Sequence, residues 1–165
     1  SKDIDIFLPD PQYLGFVTPR LSDVAANVST DYVEAATYVK LIRSEGEIDF
    51  VASPNLTAHP YEIWNLLGRP VKVETAVEIV AKKLWHRGDM ATARDLFDLA
   101  LVIQKSSDAL QGAAPFLIRH RDAFLAQLQQ RQGLLKAQFQ AIDTLAFNPS
   151  FEEAYFIAEQ FLKKL

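Results

Sequence analysis

Cysteine is absent from this 165-residue chain, which excludes disulfide frameworks, thiolate catalysis and cysteine zinc sites. Histidine is scarce: His59, His86 and His120 lie too far apart in sequence for a histidine-rich metal site. Positive charge is in deficit, 17 basic against 21 acidic side chains, which argues against a generally basic nucleic-acid binder but leaves room for a local patch. No apolar run approaches the roughly 20 residues of a membrane span. The opening Ser-Lys-Asp-Ile-Asp has none of the marks of a signal peptide. A reducing, cytoplasmic setting without membrane contact is therefore expected. What is present suffices for a packed core, because 49% of the residues are hydrophobic and 23% charged. One domain, or one domain with a small helical appendage, fits this length. Strand-like sequence follows Ser1 at once, so the chain is expected to begin inside a domain, with a cleaved initiator methionine as the alternative.

Asp3 to Leu8 alternates polar and apolar residues and stops at Pro9, which predicts a short strand with Asp3 and Asp5 on one face and Ile4 and Ile6 on the other. Leu14 to Val24 has room for a short helix. Tyr32–Ile42 and Ile48–Ala52, joined by a turn at Ser44-Glu45-Gly46, read as a hairpin. Ser53 to Pro60 reads as loop and Val71–Val73 as a short strand. Thr75 and Glu78 form a predicted capping box, with Glu78 reaching back to the cap, for a helix from Ala76 to about Arg87. After an interruption at Gly88-Asp89, a second helix runs to about Lys105. Apolar spacing predicts helix across Pro115–Asp143, and Ser150 with Glu153 opens a last helix. The fold class is α+β: a small mixed or antiparallel sheet over 1–106 and a helical part over 107–165, dividing near Ser106.

Asp3 and Asp5 project from one strand face, and like charges that close repel unless something positive lies between them. A divalent cation meets that need, and Mg²⁺ takes oxygen ligands. Asp49 sits between Ile48 and Phe50 on another predicted strand. If the two strands are neighbours, three carboxylates meet, enough for two Mg²⁺ ions about 3.5–4 Å apart, the clamp for in-line phosphoryl chemistry. Glu47 shares a face with Asp49 as an auxiliary candidate. The competing explanation is a solvated edge-strand face.

A second patch lies between Lys82 and Arg94, where four basic side chains accompany one acidic one. On a continuous helix Lys83, Arg87, Arg94 and Asp98 fall in roughly one 60° stripe. Such a strip suits a nucleoside triphosphate, since Lys and Arg neutralise phosphate oxygens. The alternative is an internal ion-pair network of Arg94, Asp95 and Asp98 that ties two helices together. Trp85 is expected to pack between helices rather than stack on a base. Arg119, His120, Arg121, Arg131 and Lys136 are expected to be the charged outer positions of an amphipathic region, with an RNA-binding strip as the alternative.

Three segments carry a resemblance: Lys2-Asp3-Ile4-Asp5-Ile6-Phe7, then Gly46-Glu47-Ile48-Asp49-Phe50, then Val73-Glu74-Thr75 through Ala81-Lys82-Lys83-Leu84 to Arg94-Asp95-Leu96-Phe97-Asp98-Leu99. In their order and spacing the chain resembles the AbiEii/AbiGii toxin family of nucleotidyltransferases, from abortive-infection, type IV toxin–antitoxin systems. The resemblance implies a polymerase-β-like nucleotidyltransferase fold, with Asp3 and Asp5 as the metal pair and Asp49 as the third carboxylate. It implies that Lys83 binds the triphosphate and that Asp98 or Asp95 acts near the nucleotide or as a base; the basic strip adds Arg87 and Arg94 as further candidates for the triphosphate. It also implies an acceptor, in some members the acceptor end of tRNA, and a separate winged-helix antitoxin. The family's Gly-Gly-Ser/Thr turn ahead of the Asp-x-Asp strand has no counterpart, since only Ser1 and Lys2 precede Asp3. The sheet is therefore expected to be N-terminally incomplete and the 165 residues alone to transfer nucleotides poorly. The expected function is a Mg²⁺-dependent nucleotidyltransferase toxin using a nucleoside triphosphate. The alternatives are a truncated or degenerate non-catalytic binding module and a metal-dependent phosphodiesterase.

Overall fold

The computed structural model describes residues 3–165, so Ser1, and Lys2 of the first matching segment, lie outside the described residues. The chain forms two compact units, 1–55 and 56–165.

In the first unit a four-stranded mixed sheet has the order β1-β4-β3-β2. Its strands are β1 (Ile4–Leu8), β2 (Tyr32–Glu34), β3 (Tyr38–Arg43) and β4 (Gly46–Ala52). Pro9 ends β1, and the Asp10 side chain accepts from the Gln12 N–H (2.8 Å) to start a 3-10 turn over Pro11–Phe16. Ser22 caps the short helix α1 (Asp23–Val28) by accepting from the Ala25 N–H. The stretch 14–24, with room for a short helix, holds the end of the 3-10 turn and the start of α1 on either side of Pro19. β3 and β4 pair through a two-residue link, Ser44-Glu45, which puts Arg43 opposite Gly46 and Lys40 opposite Asp49. β1 lies parallel to β4, with Asp5 opposite Asp49 and Ile6 opposite Phe50. Val39, Leu41 and Leu14 are buried against Leu8, Val17, Tyr32, Ile48, Phe50 and Ala52. Because strand side chains alternate, burying Ile48 and Phe50 turns Asp49 to the opposite face.

The second unit opens with a two-stranded antiparallel hairpin, β5 (Tyr61–Leu66) and β6 (Arg69–Glu74). β5 was not expected from the sequence. Its turn places Leu67 at φ 52° and Gly68 at φ 80°, the primed geometry that matches strand twist. Helix α2 (Ala76–Arg87) starts where Thr75 accepts from the Glu78 N–H. Glu78 does not reach back to complete the box as expected. Its carboxylate instead accepts from the Leu56 and Thr57 N–H groups, each at 2.8 Å, and from the Thr57 hydroxyl at 2.6 Å. Three donors hold it more strongly than one cap N–H would. Lys82 is buried with it and pairs with Glu74 at 2.5 Å.

Gly88 ends α2 where a Cβ would stand 2.8 Å from His120 Cβ, so only glycine fits that approach. Helix α3 (Ala93–Gln111) starts with a full capping box between Thr92 and Asp95 and kinks at Ser106. The helix expected across Pro115–Asp143 is three: α4 (Ala114–Leu117), α5 (Arg121–Gln130) and α6 (Gln132–Gln140). The break at Arg131 falls in the polar run Gln129–Gln132, which leaves the helix no apolar side chain to bury there, while Leu128 and Leu135 stay buried on either side. Ser150 and Glu153 form the expected capping box of α7 (Phe151–Leu162). Leu84, Leu96, Leu99, Leu110, Leu117 and Leu162 make one core with the rings of Phe97, Phe139 and Phe151. Among the described residues no helix is long and apolar enough to cross a membrane.

Candidate active site

In the first unit β1, β4 and β3 present one row of charged side chains. Asp5 and Asp49 are register partners on adjacent parallel strands, and Lys40 is the register partner of Asp49 on its other side. Neighbouring strands lie about 4.8 Å apart, and register partners share a face. Asp3 precedes β1 on the same parity as Asp5, and its Oδ1 accepts the Glu47 N–H at 3.1 Å, which ties the start of β1 to β4. The Lys40 ammonium lies 2.5 Å from Glu47 Oε2 and 3.5 Å from Asp49 Oδ2. Its hydrogen bond to Glu47 holds the ammonium above its ordinary pKa. Burial pushes the Asp49 carboxyl above its ordinary value; Lys40 opposes this, and repulsion from Asp5 and Glu47 adds to it.

The structure therefore puts Asp3, Asp5 and Asp49 on adjoining positions of one sheet face, as the alternation implied. Among the described residues, no three acidic or histidine side chains converge into a metal-holding cage as they stand. The donor set nonetheless fits Mg²⁺ in kind, because all the groups are hard carboxylate oxygens. Mg²⁺ is commonly held by one or two carboxylates, with waters and substrate phosphates completing the shell.

In the second unit two carboxylates are shared among three cations between α2 and α3. Lys83 donates to Asp98 at 2.7 Å and lies 3.7 Å from Asp95. Arg87 donates to Asp95 at 2.6 Å, and Arg94 donates to Asp98, one helical turn on, at 3.0 Å. Asp95 is 3% exposed, and its Oδ2 also accepts the Thr92 N–H of the capping box. Both its oxygens are thus occupied by structural partners. The basic strip of the sequence reading is consequently an ion-pair network that joins the two helices. Three cations against two carboxylates leave a small positive excess around Lys83 and Asp98.

Trp85 meets the Phe116 ring edge-on at 5.7 Å, and the Arg119 guanidinium covers its ring at 4.4 Å. It packs between helices, as expected. Arg121 pairs with Asp122 at 3.1 Å and Lys136 with Glu152. The residue that sequence reasoning missed is Lys40. Its signal was there: a hairpin closing between Arg43 and Gly46 sets Lys40 opposite Asp49 by counting.

A family model described as "Nucleotidyl transferase AbiEii toxin, Type IV TA system" matches residues 1–161. No curated protein and no solved structure matches the chain.

Proposed function

Since the chain belongs to the AbiEii nucleotidyl transferase toxin family of type IV toxin–antitoxin systems, we propose that it moves a nucleotide from a nucleoside triphosphate to an acceptor hydroxyl, with Mg²⁺ held on the Asp5–Asp49 face. The observation that carries this reading is the parallel register that sets Asp5 beside Asp49. Sequence alone could only suppose those strands to be neighbours. A cognate antitoxin follows from the family, and its winged-helix type and a tRNA acceptor belong to the proposal.

The acceptor hydroxyl gives up its proton to solvent as its oxygen attacks the α-phosphorus, a new P–O bond forms, and the bond to the bridging α–β oxygen breaks to release pyrophosphate. Mg²⁺, when bound, neutralises the charge that builds on the phosphate oxygens and orients them in line. Asp5 and Asp49 would hold it from adjacent strands, and Asp3 would stand next to them as a further donor. In the second unit Lys83 takes the departing pyrophosphate's charge, with Arg87 and Arg94 beside it. Asp98, rather than the structurally committed Asp95, is the carboxylate assigned to the nucleotide, and it orients Lys83 through their 2.7 Å contact.

The test is incubation of the full-length protein with each α-labelled triphosphate, Mg²⁺ and total RNA. Label should pass to RNA, and Asp5→Ala should lower the transfer on the order of a thousandfold, the scale of several kcal/mol of charge stabilisation. Undiminished transfer by that variant would overturn the mechanism. Phosphodiester cleavage without any triphosphate would point to the phosphodiesterase reading instead.

A further inference from the structure

We infer that Lys40 is a built-in counter-ion of the acidic face: its ammonium bridges Glu47 and Asp49 in the cation-free protein and gives way when a divalent cation enters beside Asp5 and Asp49. The inference rests on the reading that this face holds Mg²⁺, and it adds a residue that sets how tightly the cation is held.

Position comes first. Asp5, Asp49 and Lys40 occupy one cross-strand row on three neighbouring strands, with Asp49 in the middle. Among the described strand residues of that face, Lys40 carries the positive charge and Asp5, Glu47 and Asp49 the negative ones. The strand leaves Lys40 little choice of face, because its neighbours Val39 and Leu41 are buried on the other side. Its side chain is 31% exposed and turned toward the carboxylates rather than out into solvent.

Electrostatics then gives the residue two opposed effects. With no divalent cation, the ammonium at 3.5 Å from Asp49 and 2.5 Å from Glu47 offsets the repulsion among the carboxylates. With one bound, the same ammonium repels a doubly charged ion at close range and competes for the Asp49 oxygens. A lysine suits this better than an arginine. Its compact charge sits on a flexible stem that can swing away, whereas a guanidinium grips carboxylates in a fixed fork. An ordinary hairpin ion pair would differ: exposed pairs are worth little, and removing one leaves cation binding as it was.

The test is a Mn²⁺ titration of the full chain, followed by electron paramagnetic resonance, for wild type, Lys40→Met and Lys40→Arg. Lys40→Met should bind Mn²⁺ about tenfold more tightly than wild type, as expected for removing a unit charge beside a divalent ion. It should also melt lower without the cation and gain more from it on addition. Lys40→Arg should return the affinity to the wild-type value or below. Equal or weaker binding by Lys40→Met overturns the role of Lys40 while leaving the Mg²⁺ reading in place. Binding by Lys40→Met alone supports the inference most strongly, and binding by neither chain overturns both. A wild-type measurement stands beside the variants: acetylation of Lys40, read by mass spectrometry, should speed up several-fold when Mg²⁺ is added. An unchanged rate contradicts the inference.

Discussion

The two charged regions hold similar residues to different ends. On the first unit's sheet, carboxylates outnumber the one lysine among them, and the row Asp5–Asp49–Lys40 runs across three strands, of which β3 and β4 turn their other face to the core. Between α2 and α3, each carboxylate has its cations within hydrogen-bond reach, and Asp95 is also a helix cap. An imbalance kept on a rigid sheet costs stability, so it marks a place where a ligand's charge is expected. A closely paired network serves first as structure, and it is the members other than the buried Asp95 that keep room for chemistry.

Substitutions sharpen the contrast by separating activity from stability. The largest expected effect is on the sheet: Asp49→Asn should lower label transfer on the order of a thousandfold while costing no stability. Its pH dependence carries a sign. The Asp49 pKa is raised in the folded chain, so the folded state binds this proton more tightly than the unfolded one. Stability is therefore lost as pH climbs upward from the ordinary carboxyl value of 3.8. Urea melts at neutral pH should show Asp49→Asn at least as stable as wild type, with any advantage vanishing below that value. A clear loss of stability would mean that Asp49 is structural, like Asp95.

Next in size is the reverse case. Asp95→Ala removes a cap and leaves Arg87 without its partner, for a cost of about 3 kcal/mol in chemical melts, after allowing for the partial exposure of Arg87. Lys83→Met should fall between the two kinds. Transfer drops about a hundredfold, yet Asp98 keeps Arg94 and the melt moves little. Arg94→Ala should be smallest, within about 0.5 kcal/mol, because its side chain is 61% exposed, a pair one turn apart on a helix is weak, and Asp98 keeps Lys83.

Much of this contrast was legible before any coordinates. Alternation around Asp5 and Asp49 names the face each points to, since a strand's period of two leaves little freedom once Ile48 and Phe50 need a core. Parallel pairing of β1 with β4 was not legible, because it depends on a crossover rather than on a local turn. β5 escaped because Tyr61, Ile63, Trp64 and Leu66 place apolar groups on both faces and all stay exposed, so no polar–apolar alternation marks it. Glu78 was assigned to the nearest N–H, whereas three donors from Leu56 and Thr57 outbid that single local bond. Asp95 likewise showed its charge in the sequence, but its burial and double use as cap and ion-pair partner came only with the packing of α3 on α2.

Mn²⁺ binding to the full-length protein, compared between Asp49→Asn and Asp98→Asn, separates the two regions in one measurement. Asp49→Asn should lose the bound cation and Asp98→Asn should retain it at wild-type affinity. Retention by Asp49→Asn, or loss by Asp98→Asn alone, would contradict the assignment of the cation to the sheet.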